Sequence, residues 1–181
     1  MKTLLIAAAL TVLAASPAIA ALKVGAQAPE FSAPGYQGGK PLHFDLDKAL
    51  RKGPVVLYFF PAAHTSGCNL EAHLFADAID KFHAQGATVI GVTAGNIDQL
   101  AAFSTETEHC SGKFPVASDP NAVIAKKYEA TLALRPGWSD RTSYVIAPTG
   151  KILLAYSNLK PDQHVDQTLA AVTAWRTAHP R

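Results

Sequence analysis

Six consecutive apolar residues, Val55-Val56-Leu57-Tyr58-Phe59-Phe60, leave this chain segment no side that water can satisfy. A strand apolar on both faces belongs in the middle of a sheet covered on two sides. Gly53-Pro54 punctuates its start and Pro61 its end. Beyond it, from Cys68 onward, Leu70, Leu74, Phe75, Ala78, Ile79 and Phe82 recur at steps of three and four, which predicts a helix with one buried face, stopped by Gly86. Thr88-Val89-Ile90-Gly91-Val92 then reads as a second buried strand. Strand, helix and strand make one βαβ unit with a right-handed crossover.

The flanking segments extend that unit. Phe31 to Leu46 carries a Gly38-Gly39 turn between two short extended pieces, a hairpin by its turn chemistry. Asn96 is placed to cap a helix running through Leu100 and Phe103 towards His109. Phe114-Pro115-Val116 is extended, and Asp119-Pro120 opens a helix through Tyr128. Arg135-Pro136-Gly137-Trp138 reads as a loop. Residues 142–147 and 151–156 flank the turn Pro148-Thr149-Gly150, and a helix over about 161–177 closes the chain, with Val165, Leu169 and Val172 on one face. The alternation predicts an α/β three-layer sandwich around a mixed sheet. No repeat, low-complexity tract or linker divides residues 21–181, which are expected to form one domain.

Residues 1–20 have a basic start at Lys2, an apolar stretch from Leu4 to Ala15 and a small-residue end, Ala18-Ile19-Ala20. That is the layout of a signal peptide cleaved before Ala21. An exported, periplasmic protein is therefore expected. The net charge is +2 with scattered basic residues, which gives no footprint for a nucleic-acid partner, and no later stretch is apolar for long enough to cross a bilayer.

Chemistry concentrates where the first buried strand hands over to the helix. Cys68 lies there, and the free N–H groups and positive dipole end of a helix N-terminus favour an anion, hence a thiolate. Thr65 places a hydroxyl about one turn earlier. The other cysteine is Cys110, so a single structural disulfide is the plain alternative for a chain in an oxidising compartment. His64, Cys68 and His73 surround the reactive position, but their spacing matches no structural zinc pattern, and neither a metal nor another cofactor is expected.

Pro61-x-x-x-Thr65-x-x-Cys68 resembles the active-site motif of the peroxiredoxin family. Three further stretches agree in order. Gly25-x-x-Ala28-Pro29-x-Phe31 resembles the family's opening, and Cys68-x-x-Glu71-Ala72-x-x-Phe75 resembles its bacterioferritin-comigratory, or PrxQ-type, branch. Arg141-Thr142-Ser143-Tyr144-Val145-Ile146 with Pro148-Thr149-Gly150-Lys151-Ile152 resembles its arginine-bearing hairpin. The resemblance implies a thioredoxin-like fold and a thiol peroxidase without a cofactor, acting on hydrogen peroxide and organic hydroperoxides. In it Cys68 is the peroxidatic cysteine, Thr65 and Arg141 bind thiolate and peroxide, Pro61 shapes and shields the pocket, and Gly67 with Cys68 offers backbone donors. Glu71 ties the arginine in place. Taken singly, Thr65 could only cap the helix, Arg141 could be an exposed edge-strand residue, and Glu71 could only complement the helix dipole.

Many members of that branch carry a resolving cysteine five residues after the peroxidatic one, where this chain has His73. Cys110, at the end of the segment expected to be helical from Asn96, resembles the resolving cysteine of another subgroup. An intramolecular disulfide after local unwinding is then implied, the alternative being a spare thiol in a one-cysteine enzyme, and an exported thioredoxin-like reductant and a monomer are expected. Two competing functions are a thiol–disulfide exchange protein, which normally needs Cys-x-x-Cys where this chain has Thr65, and a binding module without turnover.

Overall fold

The computed structural model describes residues 21–180, so the leader expected at 1–20 lies outside the described residues. Its strands are β1 (Ser32–Gln37), β2 (Lys40–Asp45), β3 (Val55–Phe59), β4 (Thr88–Thr93), β5 (Val116–Ser118), β6 (Thr131–Leu132), β7 (Arg135–Ser139), β8 (Thr142–Ile146) and β9 (Ile152–Ser157). Its helices are α1 (Leu46–Leu50), α2 (Ser66–Ala84), α3 (Leu100–Thr105), α4 (Val123–Lys127) and α5 (His164–Ala178). Seven strands form one mixed sheet in the order β2-β1-β5-β4-β3-β8-β9. β3 pairs in parallel with β4 and antiparallel with β8, so the apolar run stands in the interior of the sheet, as its two-faced character requires.

Period-two alternation divides that strand between two cores. Val55, Leu57 and Phe59 join Ile90, Val92, Tyr144 and Ile146 on the face covered by α1 and α4. Val56, Tyr58 and Phe60 join Val89, Val145 and the apolar side of α2 and α5 on the other. The result is the expected helix, sheet, helix layering. Tyr58 is the anomaly, because its ring stacks on Phe75 at 4.5 Å but its hydroxyl has no hydrogen-bond partner among the described residues. Gly91 leaves room for it, since a Cβ there would lie 2.7 Å from the hydroxyl oxygen. Tyr58→Phe is therefore expected to stabilise the fold by about 1 kcal/mol, read as a higher urea midpoint.

Several local expectations are corrected. α2 starts at Ser66, and its buried stripe is Cys68, Glu71, Ala72, Phe75, Ala76, Ala78, Ile79 and Phe82. Leu70, predicted on that face, is 46% exposed because the stripe runs through Glu71 instead. Asn96 does not cap a helix; it is left-handed (φ 53°) and donates its side-chain amide to Ala63 O at 2.8 Å. The helix expected to reach His109 ends at Thr105 after a 3-10 turn over Ile97–Gln99, so Cys110 lies in a turn rather than at a helix end. The helix expected from Pro120 is broken by left-handed Asn121 and Ala122. Asp119 caps its second part, both carboxylate oxygens accepting from the backbone of Ile124 and Ala125 at 2.8 Å. Arg135-Pro136-Gly137-Trp138 is not a loop but most of β7, paired with β6 and with Arg135 lying over the Trp138 ring at 4.4 Å.

Candidate active site

The loop between β3 and α2 is fixed chiefly by main chain. Phe60 and Ala63 donate backbone N–H groups to Val92 O (3.1 Å) and Gly95 O (3.4 Å). Thr93 Oγ1 donates to Pro61 O at 3.1 Å, and the Asn96 amide holds Ala63 O. Gly95 is needed for this approach, since a Cβ there would lie 2.4 Å from Pro61 O. Thr65 then takes an extended conformation and the chain enters α2. Cys68 sits in the first turn, where backbone N–H groups have no intrahelical acceptor.

Arg141, between β7 and β8, reaches this turn from the neighbouring strand. Its Nη2 donates to Cys68 Sγ at 3.4 Å, Nη1 donates to Glu71 Oε2, and Nε donates to Leu159 O at 2.8 Å. With 4% of its surface exposed, Arg141 is no solvent-facing edge residue. Gly67 contributes space: a Cβ on it would stand 3.0 Å from Arg141 Nη2. Glu71 is fully buried, so it does more than complement the helix dipole. Burial pushes its carboxyl up and Arg141 pulls it back, leaving it at about 8. In the neutral form, Oε2 still accepts from Arg141, and the guanidinium charge stays available to Cys68.

Thr65 is the N-cap residue of α2, but its side chain makes no capping bond and none to Cys68. Its hydroxyl donates to Ala62 O at 3.0 Å, which leaves the oxygen's lone pairs to accept from a ligand. Pro61 is half-buried at the loop start. Cys110 is a free thiol like Cys68 and both are buried, so no disulfide staples the fold. Burial pushes the Cys110 thiol far up, with the Glu106 charge adding to it. His73, the third residue of the histidine-rich surroundings, turns to Asp77 at 3.4 Å.

Behind Glu71 lies a pair that the sequence reading missed. His164, at the start of α5, is fully buried, and Ser143 Oγ and Asn158 O lie 2.7 and 2.8 Å from its Nδ1 and Nε2. A carbonyl can only accept, so Nε2 carries the proton and Nδ1 accepts from Ser143. Burial, with the Arg141 charge adding to it, pushes this imidazole down to about 4 against the opposing pull of the Asn158 carbonyl. Nδ1 lies 3.5 Å from Glu71 Oε1, an oxygen with no hydrogen-bond partner among the described residues. A serine immediately before the apolar run Tyr144-Val145-Ile146 was the one available signal.

Comparison with known proteins identifies the family. Residues 24–155 match the AhpC/TSA family. The chain is 33% identical to the chloroplastic peroxiredoxin Q of Sedum lineare over 74% of its own length and 69% of that protein's. Its identity to the chloroplastic peroxiredoxin Q of Arabidopsis thaliana is 32%, over 83% of this chain and 67% of the relative. Other curated relatives are longer, the chain spanning 60% of the Populus jackii peroxiredoxin Q. Among solved structures, peroxidoxin BcpB of Mycobacterium tuberculosis superposes with a TM-score of 0.73 and 31% identity over 84% of this chain and 97% of that one. A thioredoxin-like sheet here carries a cysteine, an arginine and a glutamate joined at one helix start, and the chain belongs to the AhpC/TSA family as a peroxiredoxin of the Q, or bacterioferritin-comigratory, type.

Proposed function

We propose that the protein is an exported thiol peroxidase that reduces hydrogen peroxide and small organic hydroperoxides in a two-cysteine cycle. The observation that carries the reading is the guanidinium of Arg141 aimed at Cys68 Sγ from a buried position fixed by Glu71 and Leu159. The Cys68 thiolate attacks the terminal peroxide oxygen, an S–O bond forms as the O–O bond breaks, and water or an alcohol leaves with a proton. Arg141 and the first-turn N–H groups stabilise charge moving onto the leaving oxygen, while Thr65 accepts from the peroxide O–H. Cys68 ends as a sulfenic acid.

Cys110 then displaces water from that sulfenic acid to form an intramolecular disulfide. Its burial keeps it protonated in place, so its turn and the first turn of α2 open before the sulfurs meet. Two electrons from an exported thioredoxin-like dithiol return both thiols. Export rests on the leader-like residues 1–20, and we place the mature domain at 21–181 as a monomer. Thiol–disulfide exchange as the main activity is disfavoured by Thr65 in the place of a first cysteine.

The test is intact mass after one equivalent of hydrogen peroxide on the reduced protein. Loss of two hydrogens is expected for the wild type, and Cys110→Ser is expected to gain one oxygen. Gain of oxygen by the wild type would replace the two-cysteine cycle by a one-cysteine one. A rate no greater than that of free cysteine would remove the peroxidase reading altogether.

A further inference from the structure

Three side chains that the peroxide chemistry does not use meet between the loop leading to Cys68 and the turn carrying Cys110. They are His64, Glu106 and His109, and their donor atoms all lie within 4.8 Å of one another. His64 Nδ1 lies 2.7 Å from Gln99 Oε1. An amide oxygen only accepts, so Nδ1 bears a proton. Nε2 lies within hydrogen-bond distance of Glu106 Oε2, at 3.0 Å. His109, nearly fully buried, brings Nδ1 to 2.6 Å from the same oxygen, yet off the line a hydrogen bond needs, so this nitrogen has no hydrogen-bond partner among the described residues.

Two imidazole nitrogens converging on one carboxylate oxygen call for positive charge between them. A second proton on an imidazole is one way to supply it, and a cation is the other. The rings are held in place, His109 stacked on Phe103 at 4.9 Å and edge-on to His64 at 5.2 Å, so the donors are arranged before any ion arrives. Two imidazoles and one carboxylate suit a borderline divalent ion such as zinc, with a fourth position left to water. Ligands 2.0–2.1 Å from a tetrahedral zinc stand about 3.3 Å apart. Glu106, with 44% of its side chain exposed, has the freedom to withdraw by about 0.3 Å from His64 and about 0.7 Å from His109.

We propose that His64, Glu106 and His109 form a binding site for a divalent transition-metal ion of the zinc type, with Gln99 orienting His64 from outside. The ligands belong to the two segments that open in the proposed cycle, one residue before Thr65 and one before Cys110. A bound ion ties them together, so it slows the disulfide step without slowing attack on peroxide. This consequence rests on the peroxidase reading, whereas metal binding does not.

The binding test uses the full chain with Cys68→Ser and Cys110→Ser, so that no thiol competes for the ion. Equilibrium dialysis with zinc is expected to give one ion per chain and a higher thermal midpoint. Gln99→Ala, at an exposed position, is expected to weaken binding about 10–100-fold. Glu106→Gln, also at the surface, is expected to weaken it at least as much and to abolish the thermal shift. Absence of binding by the parent, or affinity unchanged by both substitutions, overturns the site whatever the outcome of the peroxide experiments. In the protein with both cysteines, zinc is expected to delay loss of two hydrogens and leave sulfenic acid formation unchanged, and the delay is expected to vanish in Glu106→Gln. A delay that persists in Glu106→Gln assigns it to zinc on the thiols and overturns the coupling.

Discussion

Replacing Arg141 by methionine is expected to slow the reaction of the reduced protein with hydrogen peroxide by about 10²–10³-fold, the scale of losing one preorganised donor to the developing charge. The geometry makes the loss hard to repair. Nη2, Nη1 and Nε serve Cys68, Glu71 and Leu159 O from one rigid plane, and a lysine offers a single point of charge in place of that fork. Arg141→Lys is therefore expected to recover little. Stability falls too, by roughly 3 kcal/mol, because buried acceptors lose their partner. Glu71→Gln separates the two effects. Since Glu71 titrates only at about 8, its neutral form already prevails at pH 7, and the glutamine keeps an oxygen for Arg141. Its peroxide rate at pH 7 is expected within a few-fold of wild type. Stopped-flow rates decide the matter: an Arg141→Met protein within threefold of wild type would sink the assigned role.

The second large effect concerns acid stability, where two buried groups oppose each other. Glu71 titrates at about 8 in the fold against 4.5 ordinarily, so the stability it contributes is full below 4.5 and is lost as pH rises towards 8. His164 titrates at about 4 against 6.5, so its contribution is full above 6.5 and is lost as pH falls towards 4. Between pH 4.5 and 6.5 the two slopes, each about 1.4 kcal/mol per pH unit at most, cancel. Wild-type stability is expected to be nearly flat over that window. Glu71→Gln unmasks the histidine, and stability then falls on acidification by roughly 2–3 kcal/mol. His164→Gln unmasks the carboxyl, and stability rises by a similar amount. Urea unfolding at half-unit pH steps reads both slopes, and parallel curves for the two variants would refute the opposition.

Much of this arrangement was legible from residue pattern. β3, α2 and β4 are strongly periodic, and Cys68, Arg141 and Glu71 stand in motifs whose chemistry constrains them. What escaped depended on contacts between segments distant in sequence. Arg135-Pro136-Gly137-Trp138 carries two turn-forming residues, yet proline is tolerated in a short exposed strand. Asn96 looks like a cap until Ala63 O offers its amide a better partner. The end of α3, and with it the setting of Cys110, is decided by the turn in which Ser111 and Gly112 donate to Glu106 O and Ser104 O. His164 shows no pattern at all, since a neutral buried imidazole is recognisable only beside its two partners.

The main-chain bonds that fix the loop ahead of Cys68 also decide where sequence is free to drift. Ala62 and Ala63 are sealed in the interior and Gly95 tolerates no Cβ, but His64 is only half-buried and turns its ring away from Cys68 towards Gln99 and Glu106. Such a position lies beside the reactive centre without taking part in its chemistry. A chain of this fold can exchange what it carries there, and so gain or lose a connection to the Cys110 turn, without rebuilding the machinery that meets the peroxide.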